Sequence, residues 1–287
     1  MSANGKKVWF ITGASRGFGL EIARDALQRE DLVVAAARRP ETVTAALGTQ
    51  GNLLAVPLDV TDETQAVAAA KAAVDRFGRI DVLVNNAGYG LLAAVEEATT
   101  EEVERQYQTN VFGLLKVTRA VLPYLRRAGK GHVINMSAIA GYAAFAGWGV
   151  YGSTKFAVEG LTEALAIELA PLGIFATVVE PGFFRTDFLD DTSLLRAKNM
   201  IGDYAATVGA MRDFATSANH QQPGDPKKLS KAVLKLADSS KPPVRLPLGT
   251  DTVAKIGEKN RFVEAELAQW RAVALSTDHD QIARKAS

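Results

Sequence analysis

Val8-Trp9-Phe10-Ile11-Thr12-Gly13-Ala14-Ser15-Arg16-Gly17-Phe18-Gly19 joins an apolar run to a glycine-rich turn. It then opens onto a segment with Leu20, Ile22, Ala23 and Leu27 on one side. The pattern predicts a first strand over Val8 to Thr12 and a helix over Gly19 to Gln28. Glycines at such a junction let the backbone turn sharply and approach a pyrophosphate, which would rest on the helix N-terminus. The spacing is G-x-x-x-G-x-G rather than G-x-G-x-x-G. A turn of this kind can also be no more than a tight connection, so the rest of the chain has to support the nucleotide.

Further strands are expected at Leu32–Ala37, Leu53–Leu58, Ile80–Val84, His132–Met136 and Gly173–Val179. Helical patterns separate them. Asp62 to Phe77 is alanine-rich and capped by Thr61 or Asp62. Thr100 to Arg127 forms one long pattern, bent or ended near Pro123, and another helix begins near Tyr151. Continuous apolar strands alternating with helices predict an α/β fold: a single doubly wound (Rossmann-like) parallel sheet with helices on both faces. Ligands would sit at the carboxyl ends of its strands. No linker or repeat divides the chain, so residues 1–287 are expected to form one domain. Within it, about 187–226 reads as a substrate-loop region and about 254–287 as a C-terminal helical extension. Leu229 to Ala237 reads as a helix, Val244 to Leu248 as an edge strand, and Ser276 to Ser287 as fraying.

Composition removes several classes of function. Apolar residues make up 47% of 287 residues and the net charge is +1, which fits a globular chain without nucleic-acid or membrane partners. The absence of cysteine excludes disulfides, thiolate metal sites and a cysteine nucleophile. His132, His220 and His279 show no metal-ligand spacing, and no metal is expected. The N-terminus lacks signal-peptide regions and no apolar run approaches a membrane span, so a cytoplasmic location is expected.

Two basic residues and a tyrosine–lysine pair sharpen the nucleotide reading. Dinucleotide folds that select NAD carry an acid about 20 residues past the loop, on the ribose hydroxyls. Here the second strand ends Ala37-Arg38-Arg39. Arg38 would clamp a 2′-phosphate, with Arg16 reaching it from the loop, unless both are simply solvated. NADP(H) is therefore expected over NAD(H). In Tyr151-Gly152-Ser153-Thr154-Lys155 the phenol and ammonium lie four residues apart on one helical face. A fixed cation there would stabilise phenolate and lower the tyrosine pKa, although an ordinary exposed pair has the same spacing.

With these residues assembled, the chain resembles the short-chain dehydrogenase/reductase family over roughly residues 6–250. The ordered motifs are Thr12-Gly13-x3-Gly17-x-Gly19, Asp59-Val60, Asn85-Asn86-Ala87-Gly88, Asn110, Tyr151-x3-Lys155 and Pro181-Gly182-x3-Thr186. The resemblance implies that Asp59 and Val60 flank the adenine, while Asn86, Ala87 and Gly88 line the cofactor. It implies that Pro181, Gly182, Phe184 and Thr186 hold the nicotinamide end, joined in the cofactor site by Ser15 and Phe18. Tyr151 would donate the proton, Lys155 would bind the ribose and lower the tyrosine pKa, and Asn110 would hold a relay water.

One position departs from the family pattern. An active-site serine is expected three residues before Gly141 and thirteen before Tyr151, and both counts fall on Ala138. Ser137 is one residue out of register, so its side chain would point to the opposite face. Ala138 is then either an engineered substitution or the natural residue of an enzyme that relies on Tyr151 alone. The expected function is NADP(H)-dependent reduction of a ketone or aldehyde to an alcohol by a homodimer or homotetramer. Tyr89, Leu91, Tyr142, Phe145, Trp148, Phe183 and Phe188, beside Ala138, would wall an apolar or aromatic substrate unless they are ordinary core. The rival is an NADP(H)-binding regulatory protein with weakened catalysis.

Overall fold

The computed structural model describes residues 5–279. β1 (Val8–Thr12) is buried throughout and feeds α1 (Gly17–Gln28) through the glycine turn. β2 (Leu32–Ala37), α2 (Pro40–Leu47), β3 (Leu53–Pro57) and α3 (Glu63–Phe77) complete the first half. The second half begins with β4 (Val82–Asn85), β5 (Gly90–Leu92), α4 (Thr100–Tyr107) and α5 (Leu114–Ala128). It continues through β6 (Gly131–Met136), α6 (Gly149–Leu169) and β7 (Ile174–Pro181). β8 (Leu194–Arg196), α7 (Ala210–Ser217), α8 (Pro226–Asp238), β9 (Arg245–Leu248) and α9 (Thr250–Leu275) follow.

Seven parallel strands pair in the order β3-β2-β1-β4-β6-β7-β9, the doubly wound sheet that the sequence predicts. Trp9, Phe10 and Ile11 pair with Val82, Leu83 and Val84, so the strand order reverses between β1 and β4 and opens a crevice there. Alternate β1 residues enter two different cores. Trp9 and Ile11 pack with Ile22 and Ala26 of α1 and with Leu229 and Val233 of α8. Phe10 packs with Ala69 and Ala73 of α3 and with Val117 and Val121 of α5. Burial on both faces is why the strand reads as uniformly apolar. Each of these large side chains contributes about 1.5–3 kcal/mol.

Several local expectations change. Asp62, not Thr61, caps α3, accepting from the Thr64 and Gln65 amides at 2.8 and 3.1 Å. The long pattern from Thr100 is broken by a π-helical turn over Gln108–Gly113, not at Pro123. Pro123 lies on the exposed side of α5, where water can take the carbonyl that it frees. The parallel pair β5–β8 and helix α2 are additions, because both are too short for periodicity to reveal. β9 is the expected edge strand and carries Pro247. The C-terminal extension forms α9, and most of the fraying expected over Ser276–Ser287 lies outside the described residues. Among the described residues, no helix is long and apolar enough to cross a membrane.

Candidate active site

The ends of β1 and β4 are clasped at the crevice. Asn86 Nδ2 donates to the carbonyls of Thr12 and Gly13, both at 3.1 Å. The Thr12 hydroxyl accepts from the Asn86 and Ala87 amides at 3.0 Å. Gly13 and Gly17 have φ of +64° and +55°, a region costly for residues with a Cβ. A Cβ on Gly19 would lie 2.5 Å from the Gly13 carbonyl oxygen, so this glycine is needed for packing and does not line the cavity.

All the other expected site residues except Arg39, Leu91, Asn110 and Tyr142 line one cavity of about 660 Å³. Arg38 lines it and is exposed, and no hydrogen bond or ion pair of its side chain is found among the described residues. Arg16 lines the cavity as well, but its guanidinium is bound to the Thr192 hydroxyl and carbonyl at 2.7 and 2.8 Å. Arg39 instead begins α2, its carbonyl accepting from the Thr42 hydroxyl at 2.6 Å. Asp59 accepts from the Thr61 amide and hydroxyl, which fixes its carboxylate at the cavity wall. The positive-φ glycines and a cavity of this volume fit a dinucleotide.

Tyr151 and Lys155 sit on one face of α6, as the spacing predicts, but their electrostatics differ from the expectation. Tyr151 is 6% exposed, and burial pushes its pKa above the ordinary phenol range. Burial also brings the Lys155 ammonium down to about 8, against the attraction of Glu159. Lys155 Nζ donates to the Met136 carbonyl at 2.9 Å and lies 5.7 Å from the centre of the Tyr151 ring. Desolvation therefore outweighs the cation in this structure, and the tyrosine is held neutral, not acidified.

Behind this pair, Arg245 Nη1 contacts Glu159 and Glu180 at 2.5 and 2.6 Å. Both carboxylates are buried, and burial pushes Glu159 above the usual carboxylate range. No sequence motif marks this group, because its members come from α6, β7 and β9. Asn110 lies in the π turn, 2% exposed, with its side chain bound to protein. Its amide donates to the Tyr89 carbonyl and the Thr154 hydroxyl, and its oxygen accepts from the Tyr89 amide. Both donors of its side-chain amide are thereby occupied by protein.

Trp148, Tyr151 and Phe188 form an aromatic corner, with centroids 5.5 Å apart for Trp148–Tyr151 and for Tyr151–Phe188. Gly90 makes the corner possible, since a Cβ there would lie 3.0 Å from the Phe188 ring. Phe145, Phe183 and Ala138 line the same cavity. Tyr142 does not: its hydroxyl donates to Asn260 of α9 and Arg245 covers its ring. Leu91 is core, packed with Ala93 and Val150. Ala138 and Ser137 both line the cavity, and Ser137 is buried on the side of Glu159.

The 187–226 region covers this end. Buried Glu97 ties it down, accepting from the Ala94 and Ile201 amides at 2.8 and 2.9 Å and pairing with Arg212 of α7. His220, isolated in sequence, meets Asp190 at 3.0 Å beside Asp187 at the exposed rim. Glu97→Ala would strand the Arg212 charge and two amides. The expected loss is about 3–5 kcal/mol, read as a lower urea midpoint with faster proteolysis in residues 197–217.

The short chain dehydrogenase family profile matches residues 7–196. The oxidoreductase BOA17 of Botryotinia fuckeliana is 39% identical over 94% of this chain and 99% of its own. The crystal structure of a short-chain dehydrogenase from Streptomyces avermitilis superimposes with a TM-score of 0.88 at 41% identity, covering 96% of this chain and 100% of that one. A 3-ketoacyl-(acyl-carrier-protein) reductase from Brucella melitensis complexed with NADH has a TM-score of 0.72 at 27% identity, covering 84% and 96%. ElxO with NADP bound also has 0.72, at 28% identity, covering 87% and 99%. Structures similar to this chain thus hold nicotinamide dinucleotides of both kinds. With its parallel sheet, its cavity at the strand-order reversal and these matches, the chain belongs to the short-chain dehydrogenase family of oxidoreductases.

Proposed function

We propose that the protein reduces a ketone or aldehyde to an alcohol with NADP(H), and runs the reverse reaction when alcohol is supplied. The observation that carries this reading is one unbroken cavity lined by Arg38, by the Gly13–Gly17 turn and by Tyr151 with Lys155. When bound, the reduced nicotinamide supplies hydride to the carbonyl carbon. The chain supplies the rest. Gly13, Ser15, Gly17 and Phe18 receive the pyrophosphate side, and Asp59, Val60, Asn86, Ala87 and Gly88 wall the nucleoside. Pro181, Gly182, Phe184 and Thr186 bound the nicotinamide end. Lys155 takes the ribose hydroxyls, and Tyr151 gives its proton to the substrate oxygen.

Arg38 supports the 2′-phosphate because it is exposed in the cavity lining and β2 ends without a carboxylate. Phe145, Trp148, Phe183 and Phe188 favour an apolar or aromatic carbonyl substrate. A homodimer or homotetramer built on α4, α5 and α6 would cover Phe112, Phe156 and Ile167, which are 45%, 46% and 77% exposed. A regulatory NADP(H) binder is the second reading, and Ala138 is what favours it, because one donor to the substrate oxygen is missing.

NADPH oxidation followed across aryl and aliphatic ketones tests the proposal. Tight NADPH binding without turnover on any of them would leave only the regulatory reading. Tyr151→Phe is expected to lower kcat by about 10²–10⁴-fold while the NADPH dissociation constant stays within about twofold. Ala138→Ser is expected to raise turnover by about tenfold or more, toward the roughly 10²–10³-fold value of one oxyanion donor. Arg38→Asp is expected to move the ratio of kcat/KM for NADPH over NADH down by about 10–100-fold. An unchanged ratio would mean that the 2′-phosphate is held elsewhere.

A further inference from the structure

The C-terminal helix is packed at its start and bare beyond. Thr252 of α9 is buried, Ile256 is half-buried and Asn260 accepts from the Tyr142 hydroxyl at 2.6 Å, so this face of the first turns lies on the body of the chain. The same face continues at helical spacing through Val263, Leu267, Trp270 and Ala274. From Arg261 onward every described residue is exposed, and Val263, Leu267 and Trp270 are 47%, 55% and 61% exposed. About four turns of α9 thus overhang the body, their apolar stripe uncovered among the described residues. Phe262 lies off the stripe, with the Lys259 ammonium 5.0 Å from its ring centre.

A helix of this length is marginal in water unless its apolar face is packed. Apolar residues at alternating spacings of four and three form the seam of a helix pair. The charges that flank this seam are complementary to themselves. Glu264 and Arg271 lie on one edge of it, about two turns apart. The ion pair within α9 joins Lys255 to Glu258, and neither Glu264 nor Arg271 has one among the described residues. Two copies of the stripe laid antiparallel set Leu267 against the partner's Trp270 and Val263 against the partner's Ala274. Glu264 then meets the partner's Arg271, and the same pair recurs at the other end. A parallel arrangement is blocked, because the face that would meet the second helix carries the chain's own body from Thr252 to Asn260. In the antiparallel one, each body lies past the C-terminal end of the other helix.

We propose that the overhanging turns of α9 pair antiparallel with the same turns of a second copy of this chain. The seam is Val263, Leu267, Trp270 and Ala274, flanked by two Glu264–Arg271 ion pairs between the copies. This contact is separate from the face of α4, α5 and α6 and uses no residue of the cavity. It holds two bodies together through their C-terminal helices, and so adds a second axis to any assembly built on that face.

Sedimentation equilibrium of the full chain over a range of concentrations tests this. The double variant Leu267→Glu/Trp270→Glu keeps good helix formers in α9 and is expected to halve the mass of the wild type at equal concentration. Its far-UV circular dichroism should match that of the wild type, which shows that the body stays folded. Glu264→Arg and Arg271→Glu, made singly, set like charges against each other at both ends of the seam. Each is expected to weaken self-association by about tenfold. The two changes combined are expected to restore it, because each flank again carries opposite signs. Wild-type mass equal to that of the double glutamate variant at every concentration would overturn the inference. If that wild type also co-sedimented with phosphatidylcholine vesicles and the variant did not, the stripe would belong to a lipid surface. A mass that falls in the glutamate variant but is not restored by the combined charge reversal would overturn antiparallel self-pairing.

Discussion

The clasp between β1 and β4 is the constraint on which the rest of the site depends. Thr12 gives its hydroxyl to two amides of the Asn86–Ala87 turn, and Asn86 returns its own amide to the Thr12 and Gly13 carbonyls. Strand pairing alone brings these ends near each other, because Ile11 pairs with Val84. The clasp then holds carbonyls that a sharp turn would otherwise leave unpaired. Gly19 packs against the same atoms, so α1 starts where the turn is already fixed. A helix start placed this way presents its amides to the crevice and needs no side chain to do so.

From that fixed edge, the far side of the site is organised by burial more than by charge. Tyr151 and Lys155 are both 7% exposed or less, and desolvation moves each toward its neutral form. Arg245 between Glu159 and Glu180 keeps two buried carboxylates from standing alone behind α6, where they would otherwise be strongly unfavourable. This trio also joins α6, β7 and β9, the three elements that carry Tyr151, the Pro181–Gly182 turn and the sheet edge. Polar contacts at the back of the site therefore set the position of apolar and aromatic walls at its front.

What the sequence revealed follows from the range over which each signal acts. The strands and the glycine turn were legible because burial on both faces and positive φ act within a few residues. The Tyr151–Lys155 pair was legible from helical spacing, and Arg38 from the absence of an acid at the end of β2. The π turn at Asn110 was not, because nothing in Gln108–Gly113 breaks a helical pattern. Tyr142 was placed at the substrate wall as an aromatic in the loop after the fifth predicted strand, yet the loop turns it toward α9. Glu97 and Arg245 have partners far away in sequence, and only the folded chain puts them at the site. The direction of the tyrosine shift failed for a related reason: spacing shows the cation but not the loss of water around both groups.

Ala138 gains meaning once that loss of water is included. A phenol held neutral by its surroundings can give a proton and accept a hydrogen bond, but it is a weaker acid than one beside an unshielded cation. In the proposed reaction, the substrate oxygen gains charge as hydride arrives, and Ala138 offers it no donor. The proton from Tyr151 then has to move close to that moment, not after a stabilised oxyanion has formed. Lys155 decides how readily this happens. Its ammonium donates to the Met136 carbonyl, and burial brings it down to about 8. A ribose hydroxyl accepting a second hydrogen bond from Nζ would favour the charged form and bring the phenol down with it. In this reading the site becomes a good proton donor when the cofactor's ribose is in place, which couples the acid strength of Tyr151 to binding of the hydride source.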